Sequence, residues 1–201
     1  RGNPQYSTMI SKLCNYNRRS EYILDILEET LKENEEQQIL ILGHNRCLLT
    51  YLYDAIKNRN ISTVGYYLGG MKEIDLKESE NKKVIIATYS MASEGLDIKT
   101  LTTLIMATPK TDICQSVGRI LRTNKHQPLI IDIVDQHKIF KNQYSKRRSY
   151  YNKNNYNIIQ KSKSKTTNIE DNIEDNIVDN GDCEVKIEIQ NNKKCLINIY
   201  E

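Results

Sequence analysis

The sequence has 201 residues, of which 38% are hydrophobic and 27% charged, and its formal net charge is +3. These values fit one globular domain with an additional segment, and so small a net charge does not by itself indicate nucleic-acid binding. The five cysteines include no C-x-x-C pair, no apolar run reaches membrane-spanning length, and the first residues do not form a signal peptide. We therefore expect a protein of an intracellular, reducing compartment, with no disulfide framework, no metal site and no membrane partner.

Residues 1–20 are polar and mixed, which predicts an inter-domain linker or an entry segment. The chain also begins without a methionine, so we expect it to be part of a longer protein. A helix is predicted over "SEYILDILEETLKENEE", with Ser20 as the candidate cap, because apolar residues recur there at helical spacing. "QQILILGHN" is typical of a buried parallel strand, "RCLLTYLYDAIKNRN" of a helix, and "ISTVGYYLGGM" of a short strand before a Gly-Gly turn.

The polar segment "KEIDLKESENK" is predicted as helix plus loop, and three buried strands follow in "KVIIAT", "LTTLIMAT" and "PLIIDIVD". Apolar strands that alternate with amphipathic helices form parallel sheets covered on both faces. The sequence therefore predicts an α/β fold with a doubly wound, mostly parallel sheet over residues 21–136. Ligands of such sheets bind at the carboxyl ends of the strands, and these ends hold the polar segments "GHNR", "YLGG", "TYSMASEG" and "TPKTD".

The region after residue 136 has a different character. Every charged residue in 137–165 is basic, which predicts a basic helical extension. Its interleaved tyrosines suit single-strand binding, although a solvated helix explains the same pattern. Residues 166–182 are predicted to be an acidic, low-complexity linker without a fixed fold. Residues 183–201 alternate in polarity on both sides of a polar turn, as a β-hairpin would.

The segment "DICQSVGRILR" at 112–122 is predicted to form an amphipathic helix that follows a cap at Thr111. At about 100° per residue, Gln115, Arg119 and Arg122 fall within one narrow stripe, and the apolar residues fall on the opposite side. The stripe contains neither lysine nor glutamate, and its guanidinium groups suit phosphate oxygens. The alternative is an ordinary amphipathic helix with solvated arginines.

Two motifs resemble those of a known family. "QSVGRILR" resembles the Q-x-x-G-R-x-x-R motif that comes last in superfamily-two (DEAD/DEAH-like) helicases, and "ATYSMASEGLDI" resembles the motif before it. Their order and the strand between them also fit. The resemblance covers about residues 21–135, which is similar to the C-terminal RecA-like domain of these motors. The wording of the motifs looks nearest to helicases of large cytoplasmic DNA viruses, which implies a virion or viral factory as the location.

The resemblance implies that ATP and Mg²⁺ are held mainly by an N-terminal RecA-like domain, in the same chain or a separate one. Arg122 would then be an arginine finger, Arg119 a supporting phosphate contact, and Gln115 a contact to the γ-phosphate or to the attacking water. Gly95 and Asp97 match the "GLD" positions that approach the nucleotide. Asp97 would accept a hydrogen bond from ribose or pair with an arginine, although a turn or capping aspartate explains it equally well.

The resemblance also implies that DNA or RNA crosses the carboxyl ends of the strands, on the side away from ATP. The candidate contacts are His44, Asn45, Arg46, Gly69, Gly70, Thr88, Tyr89 and Ser90. Tyr89 stands where many relatives have a threonine, so the motif leaves open whether the hydroxyl of Thr88 or Ser90 takes the phosphate contact. A helix cap at Asn45 and a tight turn at the glycine pair are the alternatives.

The sequence contains no G-x-x-x-x-G-K-[ST] loop and no D-E-x-x motif. This chain alone should therefore not hydrolyse ATP. Three interpretations compete: the C-terminal half of an ATP-dependent helicase, the same half of a double-strand DNA translocase, and a nucleic-acid-binding module that does not hydrolyse ATP.

Overall fold

The computed structural model describes residues 5–94, 96–113, 117, 128–162 and 194–200. Within these ranges the α-helices are Tyr6–Cys14 (α1), Asn17–Glu33 (α2), Arg46–Asn58 (α3), Glu73–Glu80 (α4), Tyr89–Glu94 (α5) and Lys138–Lys153 (α6). The strands are Ile39–Gly43 (β1), Val64–Tyr67 (β2), Val84–Thr88 (β3), Thr103–Met106 (β4), Leu129–Asp135 (β5), Asn157–Ser162 (β6) and Lys194–Tyr200 (β7).

The seven strands form one parallel sheet in the order β2-β3-β1-β4-β5-β7-β6. The prediction of a doubly wound α/β fold is confirmed. Every residue of β1 is buried, which explains why its apolar run shows no alternation. The chain leaves β1 toward β2 and β3 on one side and later returns to place β4 on the other. A binding crevice is expected at this switch point, beyond the carboxyl ends of β1 and β4.

Each face of the sheet carries its own hydrophobic core. Alternate residues of β1 contribute to the two cores, with Ile39 and Ile41 on one side and Leu40 and Leu42 on the other. The first core is covered by α1, α2 and α3, and the second by α5 and the later part of α6. Each fully buried aliphatic side chain stabilises the fold by about 1.5–3 kcal/mol, so the central strands hold the sheet in place.

The segment predicted as an inter-domain linker or entry segment contains helix α1, which packs on the first core. α1 buries Ile10 and Cys14 in the first core, and burial raises the pKa of the Cys14 thiol to about 11. The predicted cap at Ser20 is wrong, because α2 begins at Asn17 and Ser20 is buried inside it. The physical reason is that the helix pattern extends further toward the amino terminus and includes Arg19, a fully buried residue with an internal partner.

The carboxyl-terminal part departs from the predicted segments. The basic extension is helical over α6 only, and residues 157–162 form strand β6. β7 lies between β5 and β6 and is parallel to both, so both of its edges are occupied and it is not an arm of the predicted antiparallel hairpin. An isolated hairpin is marginal in water, whereas insertion into a sheet satisfies both edges of the strand. The first arm of that hairpin and the acidic linker at 166–182 lie outside the described residues.

In the part of the chain that the structure describes, no helix combines the length and the hydrophobicity needed to cross a bilayer.

Candidate functional site

A cleft of about 560 Å³ opens at the carboxyl ends of β1 to β4. We call it the carboxyl-edge cleft; its lining residues are Gly43, His44, Arg46, Gly69, Thr88, Tyr89, Ser90, Met91, Glu94 and Lys110. Most of the predicted nucleic-acid contacts, which come from three separate loops, therefore lie around one space. Lys110 was missed as a candidate, although it belongs to "TPKTD", one of the polar strand ends singled out in the sequence.

Tyr89 forms the floor of this cleft. The residue is 3% exposed, and its hydroxyl donates to the carbonyl oxygen of Thr108 at 2.6 Å. Its ring lies 4.7 Å from the His44 ring and 4.8 Å below the Lys110 ammonium. Burial raises the pKa of Tyr89, so it stays a neutral donor. The predicted contact between the Tyr89 hydroxyl and a phosphate does not fit this geometry, because that hydroxyl is already engaged inside the protein.

The hydroxyls of Thr88 and Ser90 lie beside Tyr89 and closer to solvent. They are 3.1 Å apart, and Thr88 also accepts a hydrogen bond from the backbone N–H of Met91 at 3.4 Å. Thr88 thus helps to hold the first turn of α5, while Ser90 is exposed. Of the hydroxyls of Thr88, Tyr89 and Ser90, those of Thr88 and Ser90 are the ones placed to meet a ligand in the cleft.

His44 links the end of β1 to the end of β4. Its backbone N–H donates to the Thr108 hydroxyl at 3.0 Å, and its Nδ1 lies 2.9 Å from the same oxygen. A hydroxyl that accepts the amide hydrogen can give its own proton to an unprotonated Nδ1. This arrangement fits a neutral imidazole, and partial burial, with a smaller effect of the Lys110 charge, lowers the pKa of His44. The His44 ring is therefore a neutral wall of the cleft near pH 7.

The loops after β1 and β2 meet through Arg46. The guanidinium donates to the carbonyl oxygen of Gly69 at 3.1 Å. Asn45 caps α3, because its side chain accepts from the N–H of Cys47 at 2.7 Å, which supports the cap interpretation. Gly70 has a φ of 87°, a left-handed value that favours glycine, so a tight turn explains this residue. Asn45 and Gly70 are not among the lining residues of the cleft.

The predicted ATP-facing residues Gln115, Arg119 and Arg122, and Gly95 of the preceding motif, lie outside the described residues. Two apolar residues of the same segment are described. Ile113 and Val117 are each 2% exposed in the second core, and the Val117 N–H donates to the Ile113 carbonyl at 2.8 Å. This i to i+4 hydrogen bond and this burial are what the predicted amphipathic helix requires of its apolar side. Asp97, the other predicted nucleotide contact, is exposed on the loop before β4.

Two buried ion pairs, absent from the sequence predictions, lie beside the cleft. Arg19 makes two hydrogen bonds to Asp135, at 2.6 and 2.9 Å, and Arg147 makes two to Asp132, at 2.7 and 2.9 Å. Tyr151 also donates to Asp132 at 3.0 Å. Bidentate pairs of this kind are directional, so each guanidinium is held in one orientation. The Nη1 group of each arginine does not bond to the aspartate and donates to a backbone carbonyl instead.

The described residues contain no group of three or more His, Cys, Asp or Glu side chains that could hold a metal ion.

Comparison with known proteins gives viral relatives. The chain is 42% identical over 160 residues to a protein of Acanthamoeba polyphaga mimivirus named as a putative ATP-dependent RNA helicase, which covers 77% of this chain and 30% of the relative. A protein of African swine fever virus with the same designation is 28% identical over 141 residues, or 65% of this chain and 28% of the relative. The chain thus spans less than a third of the length of these relatives. No protein-family model matches it.

Solved structures show the same fold. The crystal structure of T4 UvsW aligns with a TM-score of 0.58 at 20% identity, over 75% of this chain and 35% of UvsW. The C-terminal domain of the DEAD-box protein Dbp5 aligns with a TM-score of 0.54 at 19% identity, over 65% of this chain and 79% of that domain. At this level of identity the likeness concerns the fold.

Proposed function

We propose that this chain is the C-terminal motor domain of an ATP-dependent nucleic-acid helicase. The proposal is supported by its homology to viral proteins named as helicases and by its fold, which is that of a superfamily-two C-terminal RecA-like domain. In this proposal ATP and Mg²⁺ are held mainly by an N-terminal RecA-like domain. The present chain contributes arginines to the nucleotide and a surface to the nucleic acid. Because two relatives carry RNA in their names, RNA is the first substrate to test, with DNA as the comparison.

The observation that carries the proposal is the carboxyl-edge cleft. It brings Arg46 and Lys110 together with the hydroxyls of Thr88 and Ser90, and Glu94 is the one carboxylate in its lining. Cationic groups attract the phosphate backbone, and small hydroxyls can donate to its oxygens without reading the base sequence. Such a surface suits a motor that must move along any sequence.

The ATP-facing role rests on the segment that begins at Ile113. Ile113 and Val117 are buried on the second core, and the helix predicted from the sequence, at about 100° per residue, would direct Gln115, Arg119 and Arg122 away from the sheet. From that side two guanidinium groups could reach a nucleotide bound to a neighbouring domain. Phosphoryl transfer depends on positioning and on charge stabilisation, and an arginine finger contributes about 10³–10⁵ in rate. Asp97 is exposed on the loop before β4 and would assist at the ribose.

The proposal is tested with the protein that carries both RecA-like domains. We expect Arg46→Glu combined with Lys110→Glu to weaken binding of single-stranded RNA at least tenfold at low salt, measured by fluorescence anisotropy. The slope of log K against log salt should also become shallower, because phosphate contacts are lost. The matched control is Lys32→Glu with Lys83→Glu, which makes the same change in net charge in the groove at the opposite edge of the sheet.

Equal weakening by both pairs of substitutions would show that overall charge, and not the cleft, governs binding. Strand-displacement and triplex-displacement assays separate the alternatives. Separation of strands supports a helicase, triplex displacement without strand separation supports a double-strand translocase, and binding without ATP turnover supports a non-hydrolysing module.

A further inference from the structure

Four consecutive backbone carbonyls follow β4, and each accepts a hydrogen bond from a different side chain. The donors and distances are Arg19 Nη1 to Ala107 at 2.7 Å, Tyr89 Oη to Thr108 at 2.6 Å, Tyr6 Oη to Pro109 at 3.0 Å, and Arg147 Nη1 to Lys110 at 2.7 Å. These donors belong to α2, α5, α1 and α6, so helices from both faces of the sheet converge on one short stretch. We call this arrangement the carbonyl clamp.

The two arginine donors of the clamp are themselves fixed. Arg19 is 0% exposed and Arg147 is 1% exposed, and each holds a bidentate aspartate partner from β5. Each guanidinium therefore binds its aspartate through Nε and Nη2, and its Nη1 donates to a backbone carbonyl. Hydrogen bonds from charged donors are about twice as strong as neutral ones. A loop after a strand usually bonds to backbone groups or water, so this set of side-chain donors requires an explanation.

The other two donors of the clamp are the hydroxyls of Tyr6 and Tyr89. Tyr6 is 37% exposed, and its hydroxyl accepts from Gln143 Nε2 at 3.1 Å while it donates to Pro109. The Tyr89 hydroxyl is enclosed beneath the cleft. Neither hydroxyl takes part in an ion pair, so each can be removed without leaving a buried charge. This difference from the arginines makes the tyrosines suitable for testing what the clamp does.

The clamped stretch lies between two regions with proposed roles. Thr108 and Lys110 contact the cleft residues His44 and Tyr89, and three residues beyond Lys110 the chain is anchored again at Ile113. The segment that starts there carries Gln115, Arg119 and Arg122. A displacement of about 1 Å can cost a catalytic site about 10²-fold in rate. The position of residues 107–110 thus limits where these arginines can lie.

We propose that the carbonyl clamp sets the position of the arginine-bearing segment, and that Arg19, Arg147, Tyr6 and Tyr89 are positioning residues for transition-state stabilisation at the ATP site. The inference rests on the proposed function, since it requires Arg119 and Arg122 to act on ATP. It goes beyond that function because it assigns a catalytic consequence to four side chains that bond to the backbone carbonyls of residues 107–110.

The test is Tyr6→Phe combined with Tyr89→Phe in the protein that carries both RecA-like domains. This variant removes two clamp donors and keeps both rings and both ion pairs. We expect kcat for RNA-stimulated ATP hydrolysis to fall about tenfold or more, with KM for ATP and the Kd for RNA within about twofold of the parent. A fall in kcat without a change in KM or Kd is the signature of an interaction that is made only in the transition state. Amide hydrogen exchange over residues 107–113 should become faster.

The control is Tyr53→Phe with Tyr66→Phe, two partly buried tyrosines that stack on each other at 3.9 Å against the first core and away from the clamp. Melting temperatures of all variants show whether a loss of rate reflects unfolding. Tyr6→Phe alone should give a smaller loss of kcat, and it serves if the double variant does not fold. Retention of kcat in a folded clamp variant, or a loss no larger than that of the control, overturns the inference.

Arg122→Ala, measured in parallel, separates this inference from the proposed function. If Arg122→Ala abolishes turnover while the tyrosine variants keep it, only the clamp is wrong. If the parent does not hydrolyse ATP, or if Arg122→Ala turns over ATP normally, the proposed function fails and the clamp assignment fails with it.

Discussion

The two edges of the sheet both carry grooves, but the partners of their cationic side chains differ. The carboxyl-edge cleft, at about 560 Å³, presents Arg46 and Lys110 against the single carboxylate of Glu94. The groove at the amino edge, at about 430 Å³, has Lys32, Arg59 and Lys83 against Glu28 and Glu35, and Lys32 lies 4.0 Å from Glu28. Arg59 is also paired with Glu21 at 2.7 Å, and this pairing lowers the pKa of Glu21 to about 2. Both linings thus present one more cation than carboxylates, and the difference lies in the partners of the cations: Lys32 and Arg59 lie beside carboxylates, whereas Arg46 donates to a backbone carbonyl.

The edges also differ in how buried polar groups are satisfied. At the carboxyl edge, the two ion pairs direct charged donors at the loop after β4. At the amino edge the donors and acceptors are neutral: Thr103 donates to Gln37 Oε1 at 2.7 Å, and Gln38 Nε2 donates to the carbonyls of Glu80 and Lys82 at 2.7 and 2.8 Å. Charged networks are expected to be costly to break and neutral ones less so.

The largest stability effect is predicted for Arg147→Met at the carboxyl edge. The substitution leaves Asp132 buried without its cation, which should lower the free energy of unfolding by about 3–5 kcal/mol. Urea denaturation of the chain measures this change. Arg147→Met combined with Asp132→Leu should lose less than the single variant, because no lone charge is left. A double variant less stable than the single one would contradict the view that the uncompensated charge is the main cost.

A smaller effect is predicted for Thr103→Val at the amino edge. The valine has nearly the same shape but leaves the Gln37 amide oxygen without its buried donor, so we expect a loss of about 1–3 kcal/mol in the same assay. Thr100→Val is the matched control, since Thr100 donates to Gln38 at an exposed position. A loss for Thr103→Val as large as that for Arg147→Met would remove the distinction between charged and neutral edges.

The smallest effect is a pH dependence that originates at His44. Its pKa lies below the ordinary value of about 6.5, so on acidification the unfolded chain takes up a proton before the folded one does. The free energy of unfolding therefore falls as pH drops below about 6.5, until the lower pKa of the folded state is passed. His44→Asn should flatten this slope between about pH 7 and about pH 5. Identical slopes in the parent and His44→Asn would rule out this contribution.

Sequence alone was sufficient for the features that depend on local pattern. The strands β1 to β5 were predicted because buried parallel strands are continuous apolar runs, and the cleft residues because polar side chains follow those runs. The ion pairs could not be predicted, since Arg19 and Asp135 are 116 residues apart and no periodicity connects them. The position of β7 was missed for the same reason: alternation in a strand shows one buried side but not which neighbours it will pair with.

Tyr89 shows a different limit of the sequence. The motif placed Tyr89 at the cleft, but a tyrosine hydroxyl can point into the protein or toward solvent. The 2.6 Å hydrogen bond to the Thr108 carbonyl shows that the Tyr89 hydroxyl points into the protein. Side-chain direction at a strand end depends on tertiary neighbours. The same holds for Asn45, whose amide oxygen is used for a helix cap.

The central claim is that the arginines after Ile113 complete an ATP site formed with another domain. Its most direct test is RNA-stimulated ATP turnover by the protein that carries both RecA-like domains, compared between the parent and Arg122→Ala. We predict a loss of about 10³-fold or more in kcat, with the Kd for single-stranded RNA nearly unchanged. Turnover by Arg122→Ala within a few fold of the parent would contradict the assignment.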